Sequence, residues 1–225
     1  MSPTFSSLNL VLLGPPGSGK GTQARLLAER YQLPHISTGD MLWGEVANGT
    51  GLGGEVHPDL DRGELVSDKV MSGLILQRID REDCARGFIL EGYPRKLEQA
   101  ELLDGILAEL GRRIEQVVLL DVADDVIVAR LEGRLIHPAS GRVYHQHHDP
   151  PKQPGLDDLT GEKLVQRDDD REEVARGRLK VYHKHAEKLA GYYRNRNQLV
   201  VVDGNQTISR VANAMDRSIG AQVVA

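Results

Sequence analysis

Gly14-Pro15-Pro16-Gly17-Ser18-Gly19-Lys20-Gly21-Thr22 follows directly on the apolar run Leu8-Asn9-Leu10-Val11-Leu12-Leu13. The spacing fits G-x-x-x-x-G-K-[ST] in all but its last place, where Gly21 stands and Thr22 comes one step later. A buried strand thus feeds a glycine-rich turn, and the turn opens a helix through Thr22, Gln23, Ala24, Arg25, Leu26 and Leu27. Such a turn points successive backbone N–H groups inward and adds the positive end of the helix. Lys20 supplies a mobile ammonium able to follow a transferring phosphoryl group. The stretch reads as a cradle for the phosphates of a nucleoside triphosphate.

Further apolar runs lie at 88–90, 117–121 and 199–202, with a weaker one at 34–36. Helical stretches at 20–31, 65–79, 95–110, 124–133, 169–193 and 206–217 separate them. Strands alternating with helices predict a parallel sheet covered on both faces, an α/β core of three layers. Two segments break the rhythm. Residues 37–66 hold short helical pieces between Gly49, Gly51, Gly53 and Gly54, and residues 134–168 are rich in turn formers such as Pro138, Gly141, Pro150, Pro151 and Gly155. A polar stretch that long is not a bare loop inside a compact domain, so a small β-rich lid is expected there. Flaps beside a phosphate site expel water, the competing acceptor in phosphoryl transfer.

The 225 residues carry a formal net charge of -5, which argues against a broad basic face for nucleic acid but leaves room for a focused arginine cluster. Aromatic residues make up only 4% of the chain, so the core rests on Leu, Val and Ile. The single Cys84 excludes an intramolecular disulfide and any thiolate metal cluster. No apolar stretch reaches membrane-spanning length, and residues 1–7 do not read as a signal peptide. The expectation is a cytoplasmic monomer acting on small-molecule nucleotides, with no nucleic-acid or membrane partner.

The arginines mark where a phosphoryl group would pass. Arg95 follows Glu91-Gly92-Tyr93-Pro94, at the carboxyl end of the 88–90 strand where ligands sit in this architecture. Arg130 and Arg134 are spaced for one helical face. Arg167 precedes the acidic run Asp168-Asp169-Asp170, which also reads as a helix cap, and Arg178 lies in the following helix. Guanidinium groups converging on one center suit bidentate contacts to phosphate oxygens.

With these features in place, the chain resembles the adenylate kinase family in its long-lid form, from Leu8 to about Arg217. The resemblance is carried by GPPGSGKGTQA at 14–24, HISTGDML at 35–42, GFILEGYPR at 87–95, DVADDVIVARLEGR at 121–134, HPASGRVYH at 137–145 and RDDDREEVARGRL at 167–179. It implies a five-stranded parallel P-loop core (1–36, 67–133 and 169–225), a helical insertion for the nucleoside monophosphate (37–66) and a lid (134–168). It also implies the reaction ATP + AMP ⇌ 2 ADP with substrate-bound Mg2+. Lys20, Arg95, Arg134, Arg167 and Arg178 are then the catalytic set. ATP falls to Gly14, Pro15, Pro16, Gly17, Ser18, Gly19, Lys20, Gly21, Thr22, Arg130, Arg134, Val143, Tyr144 and the backbone near Gln206. The AMP site takes in Thr38, Trp43, Glu64, Val66, Gly92, Arg95, Gln99, Arg167 and Arg178, with Thr38 and Gln99 on the base. Asp169 and Asp170 would orient Arg167 and its neighbours.

Four positions depart from the family pattern, among them Leu135, which follows Arg134 where many relatives have a second arginine. Trp43 stands where an arginine contacts the AMP phosphate, Glu64 stands where lysine is frequent, and Glu91 replaces an aspartate that organises Mg2+ and its waters. These leave open an altered acceptor or a weakly active nucleotide-binding module. In the lid, zinc-binding relatives carry four cysteines where this chain has His137, Ser140, Asp157 and Thr160. Hydroxyls are poor zinc ligands, so a hydrogen-bond network and no metal is expected, with His145, His147 and His148 as solvated lid histidines.

Overall fold

The computed structural model describes residues 7–223. The reading that residues 1–7 are not a signal peptide lies, Ser7 apart, outside the described residues, as do the outermost ends of the core segments. Five strands form one parallel sheet: β1 (Leu8–Leu13), β2 (His35–Ser37), β3 (Gly87–Glu91), β4 (Gln116–Asp121) and β7 (Leu199–Asp203), in the order β2-β3-β1-β4-β7. This is the core sheet expected from the apolar runs. Every residue of β1 is buried, as a central strand covered on both faces requires. The chain leaves β1 toward β2 and β3 on one side and reaches β4 and β7 on the other. The carboxyl end of β1 is therefore the switch point where a crevice opens.

Helices α1 (Lys20–Tyr31) and α8 (Ile208–Val223) pack together on one face, over the Leu10, Leu12, Ile89, Val118 and Leu120 side chains. Helices α4 (Asp68–Ile79), α5 (Leu97–Glu109) and α7 (Glu172–Arg194) cover the other, with Phe88, Tyr93 and Tyr193 in the core between them. The 37–66 segment is two helices, α2 (Thr38–Ala47) and α3 (Gly51–Asp61). Both are capped as their sequences dictate: Ser37 Oγ accepts from Asp40 N–H and Thr50 Oγ1 from Gly53 N–H. The 134–168 segment holds the antiparallel pair β5 (Arg134–Ile136) and β6 (Val143–His145), with further bridges Ile136 to Val165 and Leu156 to Lys163. Among the described residues, no helix is long and apolar enough to cross a membrane.

Three local expectations need correction. Helix α6 (Asp124–Glu132) ends before Gly133, so Arg134 does not share a helical face with Arg130 but begins β5. The acidic run Asp168–Asp170 is a short 3-10 turn ahead of α7 and caps nothing with its side chains, because its carboxylates are engaged by arginines. His145 is not a solvated lid residue: its ring lies against Gly133, stacks on His148 at 4.4 Å, and accepts the His147 and His148 backbone N–H groups at Nδ1.

Candidate active site

A cleft of about 1490 Å³ opens at the carboxyl end of β1. It is lined by Gly14 and residues 16–22, by Thr38, Trp43, Glu64, Val66, Gly92, Arg95 and Gln99, and by Arg130, Arg134, Val143, Tyr144, Arg167, Arg178 and Gln206. Every candidate site residue thus borders one space, with the exception of Pro15, whose carbonyl instead accepts the Lys20 ammonium at 2.7 Å. Lys20 Nζ also donates to the Gly14 carbonyl at 2.9 Å. The start of α1 at Gly19 has no side-chain cap, which leaves its first N–H groups to the cleft.

Opposite the glycine turn, two carboxylates organise three arginines. Fully buried Asp170 accepts from Arg134 Nε at 2.7 Å and from a second Arg134 nitrogen, and lies 3.7 Å from Arg178. Asp169 takes Arg178 at 2.8 Å and Arg167 Nε at 3.1 Å. The arginines are held extended into the cleft rather than collapsed onto solvent. Gly63, at φ +67, lies against the Arg178 stem, and a Cβ there would come within 2.6 Å of Arg178 Cγ. Any other residue at 63 would be strained in its backbone and would have to displace the Arg178 stem.

The electrostatics follow from this crowding. Burial, opposed by Glu91 and reinforced by Arg95, Arg178 and Arg134, lowers the Lys20 pKa to about 8. Burial also lowers Arg178 to about 10, against the pull of Asp169. Arg134 loses to burial but gains more from Asp170 and ends above its ordinary value. A cleft this loaded with cations is stabilised by a polyanion. Binding a polyphosphate beside Lys20 raises its pKa again, so the complex takes up protons near pH 8 and affinity falls as pH rises through 8. Calorimetric titration of ATP at pH 8, in buffers of different ionisation enthalpy, is expected to show this uptake. Buffer-independent heats would mean that Lys20 is charged throughout.

The base-reading candidates sit deeper. Thr38 Oγ1 donates to the Glu91 carbonyl at 3.2 Å, and a side chain at Gly92 (φ +82) would overlap it. Gln99 is 2% exposed; its Oε1 accepts the Arg95 backbone N–H at 2.7 Å and its Nε2 donates to Asp68 Oδ1 at 2.9 Å. Asp68 is paired to Lys96 at 2.8 Å. Neither Asp68 nor Lys96 was a candidate from sequence. In the structure Asp68 is the first residue of α4, capped by Ser67, and nothing local in the sequence ties it to a residue one helix away.

The departures also have structural answers. Trp43 offers its ring face to the Arg167 guanidinium, 5.1 Å from the centroid. It is therefore a platform for one cation as well as the absence of another. Glu64 accepts from Arg62 Nε at 3.1 Å, which offsets the negative charge read from sequence. Glu91 Oε1 accepts from Ser37 at 3.0 Å, while Oε2 is buried without a hydrogen-bond partner. That free oxygen faces Gly21 and lies 3.9 Å from His35 Nε2, where burial lowers the imidazole pKa and favours the neutral ring.

In the lid, His137 bonds Ser140 at 2.7 Å and Glu162 at 2.6 Å, and Thr160 bonds Asp157 at 3.0 Å. The four expected positions do form a hydrogen-bond network. Its hub is a residue sequence reasoning missed: Arg142 donates to both oxygens of buried Asp157, at 2.7 and 2.6 Å, and holds that carboxyl well below the usual range.

Comparison with known proteins agrees with this geometry. The family profile described as adenylate kinase matches residues 12–198. An adenylate kinase of Vanderwaltozyma polyspora is 46% identical over 221 residues, covering 98% of this chain and 99% of the relative. An adenylate kinase of Kluyveromyces lactis is 46% identical over 215 residues, covering 95% of each.

Proposed function

The chain belongs to the adenylate kinase family, and from that premise we propose how its cleft carries the family's reaction, reversible phosphoryl transfer from ATP to AMP giving two ADP. The observation that carries the proposal is the convergence of Lys20, Arg95, Arg134, Arg167 and Arg178 on one cleft, with the last three pinned by Asp169 and Asp170. The glycine turn and the open start of α1 take the ATP phosphates. Arg130, which donates to the Gly204 carbonyl at 2.9 Å and lines the cleft near Gln206, takes the ATP base, with Val143 and Tyr144 on the lid side. Thr38 and Gln99 read the AMP base, while Gly92 and Val66 shape that site and Arg95, Arg167 and Arg178 take its phosphate. An AMP phosphate oxygen attacks the γ-phosphorus of ATP in line, and ADP leaves. No protein nucleophile takes part; positioned cations stabilise charge on the transferring group.

Glu91 is the residue to hold substrate-bound Mg2+ through water. Its buried, unpartnered Oε2 beside the glycine turn fits an outer-sphere carboxylate. Bound with the substrate, the metal would supply charge neutralisation for the phosphates. Residues 37–66 and 134–168 act as closing flaps on the core formed by 1–36, 67–133 and 169–225. Both substrate sites belong to one cleft of one chain, so a monomer is sufficient.

Formation of ADP from ATP and Mg2+ tests the proposal, with AMP, CMP, UMP and GMP offered in turn. Rapid turnover that depends on AMP is expected. Retained ATP binding with turnover on another monophosphate, or on none, would overturn it. The same assay tests Trp43. Trp43→Arg adds a further guanidinium to that phosphate site and is expected to lower the KM for AMP about tenfold, roughly 1.4 kcal/mol. Trp43→Ala removes the platform under Arg167 and is expected to raise it. If both variants weaken AMP, the indole is a better partner for the site than the arginine it replaces.

A further inference from the structure

We infer that Asp68 is a positioning residue that fixes which way the Gln99 amide faces, and thereby sets the preference of the acceptor site for a 6-aminopurine over a 6-oxopurine. The inference rests on the reading of Gln99 as the residue that meets the AMP base. Gln99 lines the cleft from α5, is almost fully buried, and has both ends of its amide already engaged. One end faces the Arg95 backbone N–H at 2.7 Å, and the other faces Asp68 Oδ1 at 2.9 Å.

Chemistry alone assigns the two ends. A backbone N–H only donates, so the group facing it is the amide oxygen. A carboxylate only accepts, so the group facing it is the NH2. Exchanging them would set two donors against each other at Arg95 and two acceptors against each other at Asp68. Lys96 Nζ, 2.8 Å from the second Asp68 oxygen, keeps the carboxylate in place and charged. The amide is locked from both sides.

What remains on Gln99 is one N–H and one oxygen lone pair, in a fixed order. Adenine presents an acceptor, N1, beside a donor, the N6 amino group, and these match that order. Hypoxanthine presents N1–H, a donor, beside O6, an acceptor, and requires the opposite one. An unlocked glutamine would rotate and accept either base. The locked one leaves mismatched polar groups in a buried site, which is the strongest form of discrimination available to a pocket.

Asp68→Asn tests this in the full chain, because the substituted amide can offer either an oxygen or an NH2 to Gln99. With ATP saturating, kcat/KM is measured for AMP and for IMP, alongside Gln99→Ala. We expect Asp68→Asn to lower the AMP-to-IMP ratio at least tenfold, chiefly through KM, and Gln99→Ala to raise the KM for AMP at least tenfold. Lys96→Met, which leaves the start of α4 intact, is expected to shift the ratio in the same direction by about threefold. It carries the test if Asp68→Asn does not fold. A ratio unchanged in Asp68→Asn, or in Lys96→Met where it stands in, overturns the lock while a Gln99→Ala defect keeps Gln99 as the base reader. An unchanged KM for AMP in Gln99→Ala removes that reading and the inference with it.

Discussion

Lys20→Ala is expected to lower kcat by about 100- to 1000-fold, the cost of removing one preorganised donor from a charge-developing center. The side chain stands at the start of α1 with its ammonium on the Gly14 and Pro15 carbonyls. From there it can exchange two backbone acceptors for phosphate oxygens without leaving the turn. The loss is expected in kcat more than in KM, because the other P-loop donors still bind ATP. Stability should not fall with activity. The Lys20 pKa in the folded chain, about 8, lies below its usual 10.5, so its charge opposes folding below pH 8 and the penalty fades as pH rises toward 10.5. Removing the charge therefore leaves the melting temperature unchanged or higher. Lys20→Arg keeps the charge but asks a planar fork to fit where a compact ammonium sits, so it should not restore turnover. Near-normal kcat in Lys20→Ala would show that the reacting phosphoryl group lies elsewhere.

Much of this site is written in short stretches. The glycine turn after β1 follows from local spacing, because phosphate recognition by backbone N–H groups needs a fixed run of residues. The five strands are equally plain, since parallel core strands are continuous apolar runs. The capping serines and threonines mark the insertion helices in the same local way. What the sequence does not display is pairing across the fold. Arg134 read as helical because its spacing from Arg130 fits a turn of helix, yet α6 ends ahead of Gly133 and Arg134 begins β5. Arg142 as the partner of Asp157, Asp68 behind Gln99, and Arg167 over Trp43 all join residues that only tertiary structure brings together. Trp43 and Glu64 illustrate the limit most directly. Each has a one-letter departure as its sequence signal, but its consequence depends on a neighbouring arginine whose direction no local pattern gives.

Asp170→Ala is the substitution expected to cost most in stability. Its carboxylate is wholly buried and takes a bidentate contact from Arg134, with Arg178 at 3.7 Å. Removing it leaves buried guanidinium charge uncompensated, a loss of about 3–5 kcal/mol. For a chain of this size that corresponds to a fall in Tm on the order of 6–20 °C. A drop of only a degree or two by calorimetry would mean that water reaches Arg134 freely. The pair as a whole, however, adds little to folding, since desolvating two charges cancels most of their attraction. Replacing both partners, as in Arg134→Met with Asp170→Leu, should therefore recover much of the lost stability while kcat stays low. Separation of the two readouts identifies what the carboxylates are for. Asp169 and Asp170 hold three arginines at fixed positions before any phosphate arrives, so little reorganisation is left for the moment of transfer. On the proposed mechanism that preorganisation is what the buried charge supplies to the reaction, and the double replacement is expected to keep the fold while removing it.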